Sequence, residues 1–462
     1  MWDAGSLIIG IVIGVSLFRL PGSVLSNVPG PLTALAMWLL GGVLSLAGAL
    51  CYCELATAHP QSGGDYVYLT RAYGSCTGFL FGWMRFTLIH PANIGAMAFV
   101  FAEHAVHFFG LPSGGEAMLA IGAIIVLTGL NLGGVMLGKG TQNALSVCKI
   151  AGLAAIVVAG VRVALSNSFG GVQPPNPQPA VVSEATTNYG LALIFVLFAY
   201  GGWNDAAFVA AEVRDVRRNI PRALLAGLGT ITVIYLLVNT AYIAGLGADG
   251  VRASNTPAAD LLQSAWGDVG DAAISLIVML SALGAVNGMI FAGSRVFSAM
   301  GVEHRAFSLL GHWDPERRSP VRALASIGGM SVLLVWLVGT VDGTRLLDRF
   351  IKPFGFKGAE LLPGGGGFET LVAGAAPIFW IFLLLSGLSV IVLRRREPDR
   401  ERPFRCGAPV VPLIFCGTSA WMLWSGAKYA LTFATSLTLL SAIVLIAGGV
   451  VYAVMGRGRR SM

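Results

Sequence analysis

Twelve stretches of this chain run for about twenty residues or more with almost no charge. They fall at about 5 to 28, 31 to 57, 76 to 109, 116 to 136, 142 to 165, 189 to 211, 222 to 247, 270 to 300, 321 to 341, 371 to 393, 409 to 428 and 434 to 455. About 20 apolar residues wound as a helix cross the roughly 30 Å of hydrocarbon in a bilayer, so each stretch has the length of a span. Composition agrees: 55% of the 462 residues are hydrophobic and 11% are charged, under half of the roughly 25% with which a soluble domain wets its surface. A soluble enzyme is excluded, and an all-α polytopic membrane protein with twelve transmembrane helices is predicted. The first stretch begins within a few residues of Met1 with no basic segment before it, which marks a span rather than a cleaved leader.

The remaining charge sets the orientation. With a cytoplasmic N-terminus, nineteen basic residues fall in the inner connections and tail, among them Arg71, Lys139, Arg217, Arg218, Arg222 and the run from Arg394 to Arg405. The outer connections hold only Arg252, Arg345, Arg349, Lys352 and Lys357. This asymmetry predicts both termini inside a cell (inner) membrane of bacterial type, and it explains the net charge of +7 without nucleic acid. The six cysteines lie in apolar runs or inner loops, so no disulfide framework and no disulfide-linked subunit are expected. No Gly-x-x-x-x-Gly-Lys-[Ser/Thr] occurs, so nucleotide hydrolysis is not the drive, and neither a cofactor nor a metal is expected. Residues 173 to 179 read as an extended polyproline linker, and the outer insertion 343 to 370 predicts a short surface helix around Arg345 to Lys352.

In hydrocarbon every backbone N–H and C=O needs a partner, so an unwound helix survives only around a cavity whose occupant replaces the lost bonds. Two broken spans at matching places in two halves of a chain therefore point to a transport site. The first span reads Gly10-Ile-Val-Ile-Gly14-Val15-Ser16-Leu17, and the sixth reads Phe198-Ala-Tyr-Gly-Gly-Trp-Asn-Asp205. Gly10 and Gly14 also fit plain helix packing, as do Gly78/Gly82, Gly129/Gly133 and Gly284/Gly288. Packing explains Gly201 and Gly202 less well, because Trp203, Asn204 and Asp205 follow at once. An Asp at mid-membrane costs at least about 2.5 to 3.5 kcal/mol on insertion scales.

These residues carry a resemblance. The first span, preceded by Trp2-Asp3-Ala4, resembles the opening helix of the amino acid, polyamine and organocation transporter superfamily. The segment from Phe198 to Asp205, continuing to Arg222, resembles the sixth helix and following loop of its L-type amino acid transporter branch. Three further stretches agree: Glu54-Leu-Ala-Thr-Ala-His-Pro-Gln-Ser-Gly-Gly-Asp-Tyr-Val-Tyr68, Lys149 in the fifth span, and Gly284-Ala-Val-Asn-Gly288 through Ser294-Arg295. The similarity runs in order along nearly the whole chain.

The resemblance implies a five-plus-five inverted repeat. Residues 1–165 form the first repeat, 166–188 an outer Pro-rich loop, 189–393 the second repeat, 394–408 a basic cytoplasmic loop, and 409–462 two additional C-terminal helices and a tail. It implies a secondary transporter of amino acids, with polyamines or other organic cations as the alternative substrates. Amides of Gly14, Val15, Ser16 and Leu17 would receive a substrate carboxylate at a helix N-terminus. Carbonyls of Ile11, Phe198, Ala199 and Gly201 would accept from its ammonium, Trp203 and Asn204 would line the side-chain pocket, and Phe198 would lid it. The family's Gly-Ser-Gly is here Gly14-Val15-Ser16, which restricts φ and narrows the approach.

Lys149 is expected to find acceptors in the carbonyls freed from helix one, where a tethered cation replaces sodium. Snorkelling to the inner interface is its bland alternative. Asp205 is read either as a coupling residue or as a buried acid paired with a base. Arg85 and His90 are expected to face the cavity, with a kink at Pro91. Glu103, His104 and His107 offer metal ligands but fit solvated caps better. Arg217, Arg218 and Arg222 are topology anchors that could meet Glu212, Asp215 or Asp65. Two other classes remain in view: a substrate-sensing receptor on a transporter scaffold, and an intramembrane hydrolase, for which no converging nucleophile and base is found.

Overall fold

The computed structural model describes residues 12–61, 63–112, 114–168, 187–205, 215–254, 256–351, 367–407, 409–433 and 435–455. Ile11, the Trp2-Asp3-Ala4 opening, Gly10, the 173–179 linker and Glu212 lie outside the described residues. Sixteen α-helices are used below. They are α1 Ser16–Ser26, α2 Pro31–Ala58, α3 Asp65–Tyr73, α4 Ser75–Met84, α5 His90–Phe109, α6 Glu116–Leu132, α7 Val135–Ser168 and α8 Tyr189–Ala199. They continue with α9 Val216–Ala253, α10 Pro257–Trp266, α11 Asp268–Glu303, α12 Val321–Gly339, α13 Val341–Ile351, α14 Gly367–Arg396, α15 Val410–Phe433 and α16 Thr435–Met455.

Eight helical stretches are long and apolar enough to cross a membrane, and Glu116–Leu132 and Thr438–Val454 are shorter apolar helices. The two remaining predicted spans, the first and the sixth, are the interrupted ones. Helix α2 shows why these segments wind: Pro31 sits at its first turn, where a missing N–H costs nothing, and its 28 residues reach about 42 Å. Helix α7 starts seven residues ahead of the predicted fifth span and carries Lys139 within it. Hydropathy marks only the part of a helix immersed in hydrocarbon, and the polar end at the interface winds on.

The irregularity expected at Pro91 takes the form of a π-helical turn, Arg85–Ile89, between α4 and α5. A proline ring crowds the carbonyl four residues back, here Thr87, and the wider turn relieves that clash. The predicted surface helix of the outer insertion is α13, Val341–Ile351.

Packing pairs four of the five early spans with the one five places later: α1 lies on α8, α2 on α9, α5 on α11 and α6 on α12, while α7 packs on α9 and α11. Two intertwined five-helix repeats produce this pairing, with α15 and α16 outside it, α15 against α14 and α2, α16 against α14 and α4. Trp38, Tyr52, Tyr200, Tyr235 and Tyr242 are fully buried at the centre. Near the C-terminal end of α2 the Glu54 carboxylate takes hydrogen bonds from Arg394 Nε at 2.7 Å and Nη2 at 2.5 Å and from the Cys406 amide at 2.9 Å. Arg400 donates to the Ala58 carbonyl at 2.9 and 3.0 Å, so the basic loop straps down the end of α2.

Candidate substrate site at two broken helices

The first span is interrupted where the sequence analysis puts it. Residues 13 to 15 are not helical, the Gly14 amide turns back to the Val12 carbonyl at 2.7 Å, and α1 begins at Ser16. No side chain caps that helix, so its first amides face the break without a side-chain acceptor. A Cβ on Gly14 would come no nearer than 3.9 Å to Ser16 Oγ or Val12 O and 4.0 Å to Met97 Sδ. A methyl there would sit at ordinary van der Waals distance, so buried Gly14 is not the contact of a tight helix pair.

The sixth span stops at Ala199. The Gly201 amide donates to the Phe198 carbonyl at 3.1 Å, Gly202 takes φ +97°, a region that favours glycine, and the Asp205 amide donates to Gly202 O at 3.1 Å. Trp203 is buried edge-on to Tyr52, ring centres 5.0 Å apart. Phe198 is 37% exposed, while Tyr200 is fully buried and donates to the Trp38 carbonyl at 3.1 Å.

Three side chains occupy the carbonyls that the breaks set free. Lys149, fully buried, donates to the Ile13 carbonyl, and Ser281 reaches the same oxygen at 3.4 Å. The Tyr235 hydroxyl lies 3.1 Å from Val12 O and 2.8 Å from Ala199 O. A phenol has one proton, so this hydroxyl donates to either break and links the two. Tyr235 and Ser281 were missed in the sequence analysis. Their signal, a polar residue on the buried face of an apolar span, is shared by many residues here.

Two small cavities flank the sixth-span break. One, of about 30 Å³, is lined by Ser45, Gly201, Gly202, Trp203, Asn204, Phe415 and Ser419, among others. The other, of about 10 Å³, is lined by Tyr52, Asp65, Arg85, Asn204 and neighbouring apolar residues. A water needs about 10 to 15 Å³ of such space, so these cavities hold a water or two.

Beside the second cavity Arg85, on the π turn, pairs with Asp205; both side chains are almost completely buried. This is the paired-acid alternative for Asp205, with Arg85 as the base. Asp65 does not meet the basic anchors of the inner loop; its Oδ1 accepts from Tyr52 and from Ser386 Oγ at 2.7 Å. Arg217 instead forms a two-pronged bond with Glu401, both contacts 2.9 Å, and Arg218 lies 3.9 Å from Asp215. His107 meets Asp271 at 3.2 Å at the outer surface, and His90 contacts the Met289 carbonyl at 3.0 Å.

Two helices that break off inside a bundle of apolar spans, with the freed carbonyls of Val12, Ile13 and Ala199 held by side chains of other spans, are the architecture of a membrane transporter. The chain matches the amino acid permease family model over residues 1–450 and belongs to that family. It is 29% identical over 428 residues to the serine/threonine exchanger SteT of Bacillus subtilis (strain 168), covering 91% of this chain and 89% of that protein. It is also 29% identical over 430 residues to the large neutral amino acids transporter small subunit 2 of Rattus norvegicus, covering 92% and 75%. To the b(0,+)-type amino acid transporter 1 of Homo sapiens it is 28% identical over 434 residues, covering 90% and 80%.

Proposed function

We propose that this chain is a secondary transporter of amino acids that works by alternating access, by exchange or proton-coupled uptake, without sodium, in a bacterial inner membrane with both termini cytoplasmic. The observation that carries this reading is the pair of breaks: the N-terminus of α1 at Ser16 and Leu17, and the turn at Gly201 and Gly202 that follows α8. A zwitterion satisfies both, its carboxylate at the helix dipole and its ammonium at the carbonyls. Trp203 and Asn204, which line the larger cavity, then meet the substrate side chain, with Phe198 as its lid. The relatives' printed names, a serine/threonine exchanger and large neutral amino acid transporters, support amino acids as the substrate class.

Lys149 supports independence from sodium. Its ammonium already holds the Ile13 carbonyl. A second cation about 4 Å away would meet roughly 4 kcal/mol of repulsion at an effective dielectric of about 20. The test is counterflow in proteoliposomes: vesicles loaded with one amino acid should accumulate labelled serine, threonine or large neutral amino acids equally in sodium and in choline buffer. A thermal-shift screen of the twenty amino acids, polyamines and decarboxylated amines accompanies it. Stabilisation by amines but by no carboxylated compound would reject the amino acid assignment.

A further inference from the structure

Asp65, Asp205 and Arg85 form a buried group that the substrate site does not use. Each is at most 4% exposed, and the set puts two carboxylates against one guanidinium among the described residues. Arg85 bonds Asp205 directly, so the one guanidinium of the group is engaged there and the hydrogen bonds to Asp65 Oδ1 come from neutral hydroxyls. The neighbours of Asp65 are Tyr52 on α2, Tyr68 on α3, Arg85 on the π turn, Asn204 and Asp205 after the sixth-span break, and Ser386 on α14. Arg85 is the one cation in that set. Tyr52 and Ser386 both donate to Oδ1, and Asn204 lines the same small cavity as Asp65. The Tyr68 hydroxyl, fully buried and with no hydrogen-bond partner among the described residues, lies in the field of the same carboxylate. The cavity of about 10 Å³ gives one water access to the group.

Resting on the amino acid transport reading, we propose that Asp65 is the proton-binding residue of the transport cycle and that Asn204 relays its protonation to the substrate cavity. The step is a proton transfer alone: a proton arrives from water, forms the Oδ2–H bond, and leaves to water on the opposite side, one per substrate moved. When Asp65 is ionised, the Asn204 amide donates to Oδ2; when Asp65 is protonated, Oδ2–H donates and the Asn204 carbonyl must accept. A carboxamide serves both states by turning over. Asn204 lines both cavities, so the turn changes which of its groups faces the gap at Gly201 and Gly202. Asp65 sits on the short helix between two spans, where burial pushes its carboxyl above the usual carboxylate range against the lowering pull of Ser386, Tyr52 and Arg85.

The experiment is an infrared pH titration of the purified full chain, read at the carboxylic acid C=O stretch, beside pyranine-reported proton movement in the same proteoliposomes. The wild type should show a titrating buried acid that disappears in Asp65→Asn and persists in Asp205→Asn. Asp65→Asn should keep counterflow but lose substrate-driven proton entry. Should Asp65→Asn fail to fold, Tyr52→Phe removes one hydrogen bond from Oδ1 and should raise the titration midpoint by about one to two pH units. A titrating band that survives Asp65→Asn, proton entry unchanged in that variant, or a midpoint indifferent to Tyr52→Phe overturns the assignment. Failure of the amino acid reading has a separate signature: counterflow is absent from the wild type while the infrared titration still reports on Asp65.

Discussion

At the residue scale the chain keeps several charges inside its bundle, and each is held by something specific. Lys149 holds the Ile13 carbonyl, and removing its ammonium takes away a charge-assisted hydrogen bond of roughly 1.5 to 3 kcal/mol. Lys149→Ala should therefore lower uptake about 10- to 100-fold, measured as initial counterflow rate; undiminished transport would remove this lysine from the mechanism. Arg85→Ala leaves Asp205 buried beside Asp65 with its direct partner gone, which should cost about 3 to 5 kcal/mol of stability in detergent. Adding Asp205→Asn should restore part of that loss, and strictly additive effects would mean that the two do not interact. At this scale the sequence made the identity of the unusual residues legible. Asp205 stood out because an acid follows a Gly pair at mid-span, yet nothing local paired it with Arg85, 120 positions earlier.

At the element scale the inner connections decide how tightly the helices are tied. Glu54, near the end of α2, clamps Arg394 and the Cys406 amide, while Arg400 holds the Ala58 carbonyl. Glu54→Gln should loosen this strap, seen as faster hydrogen exchange over residues 397 to 407 with α9 unchanged. His59 caps the same corner: it is buried, 3.7 Å from Glu397, and burial followed by the nearby Arg71 pushes its pKa down to about 4. Between about pH 6.5 and 4 the unfolded chain therefore binds a proton that the folded chain refuses, so stability falls as pH falls through that window. One proton is worth about 1.4 kcal/mol per pH unit, and His59→Gln should flatten the slope of melting temperature against pH over that range. The strap was not legible beforehand. The arginines read as topology anchors because a positive charge at the inner face explains itself without naming a partner.

At the scale of the whole molecule one phenol reaches both breaks. Tyr235 lies within hydrogen-bond reach of carbonyls from both breaks and packs edge-on against Trp38 at 5.4 Å. Tyr235→Phe keeps the ring and removes the link, which should weaken substrate affinity about 2- to 10-fold, the worth of one neutral hydrogen bond, in a binding assay. An unchanged affinity would make the link purely structural. The two cavities at the sixth-span break accommodate a water or two among the described residues.

The helices, their approximate limits and both interruptions were set by the sequence alone, because in hydrocarbon each segment must satisfy its own backbone, and a break shows locally as glycine and polar residues inside an apolar run. Which residues would fill those breaks was decided only in three dimensions. The rotation of each helix about its axis, fixed by packing against helices distant in the chain, brought Tyr235 to Val12 and Ala199, Ser281 to Ile13, and Arg85 to Asp205.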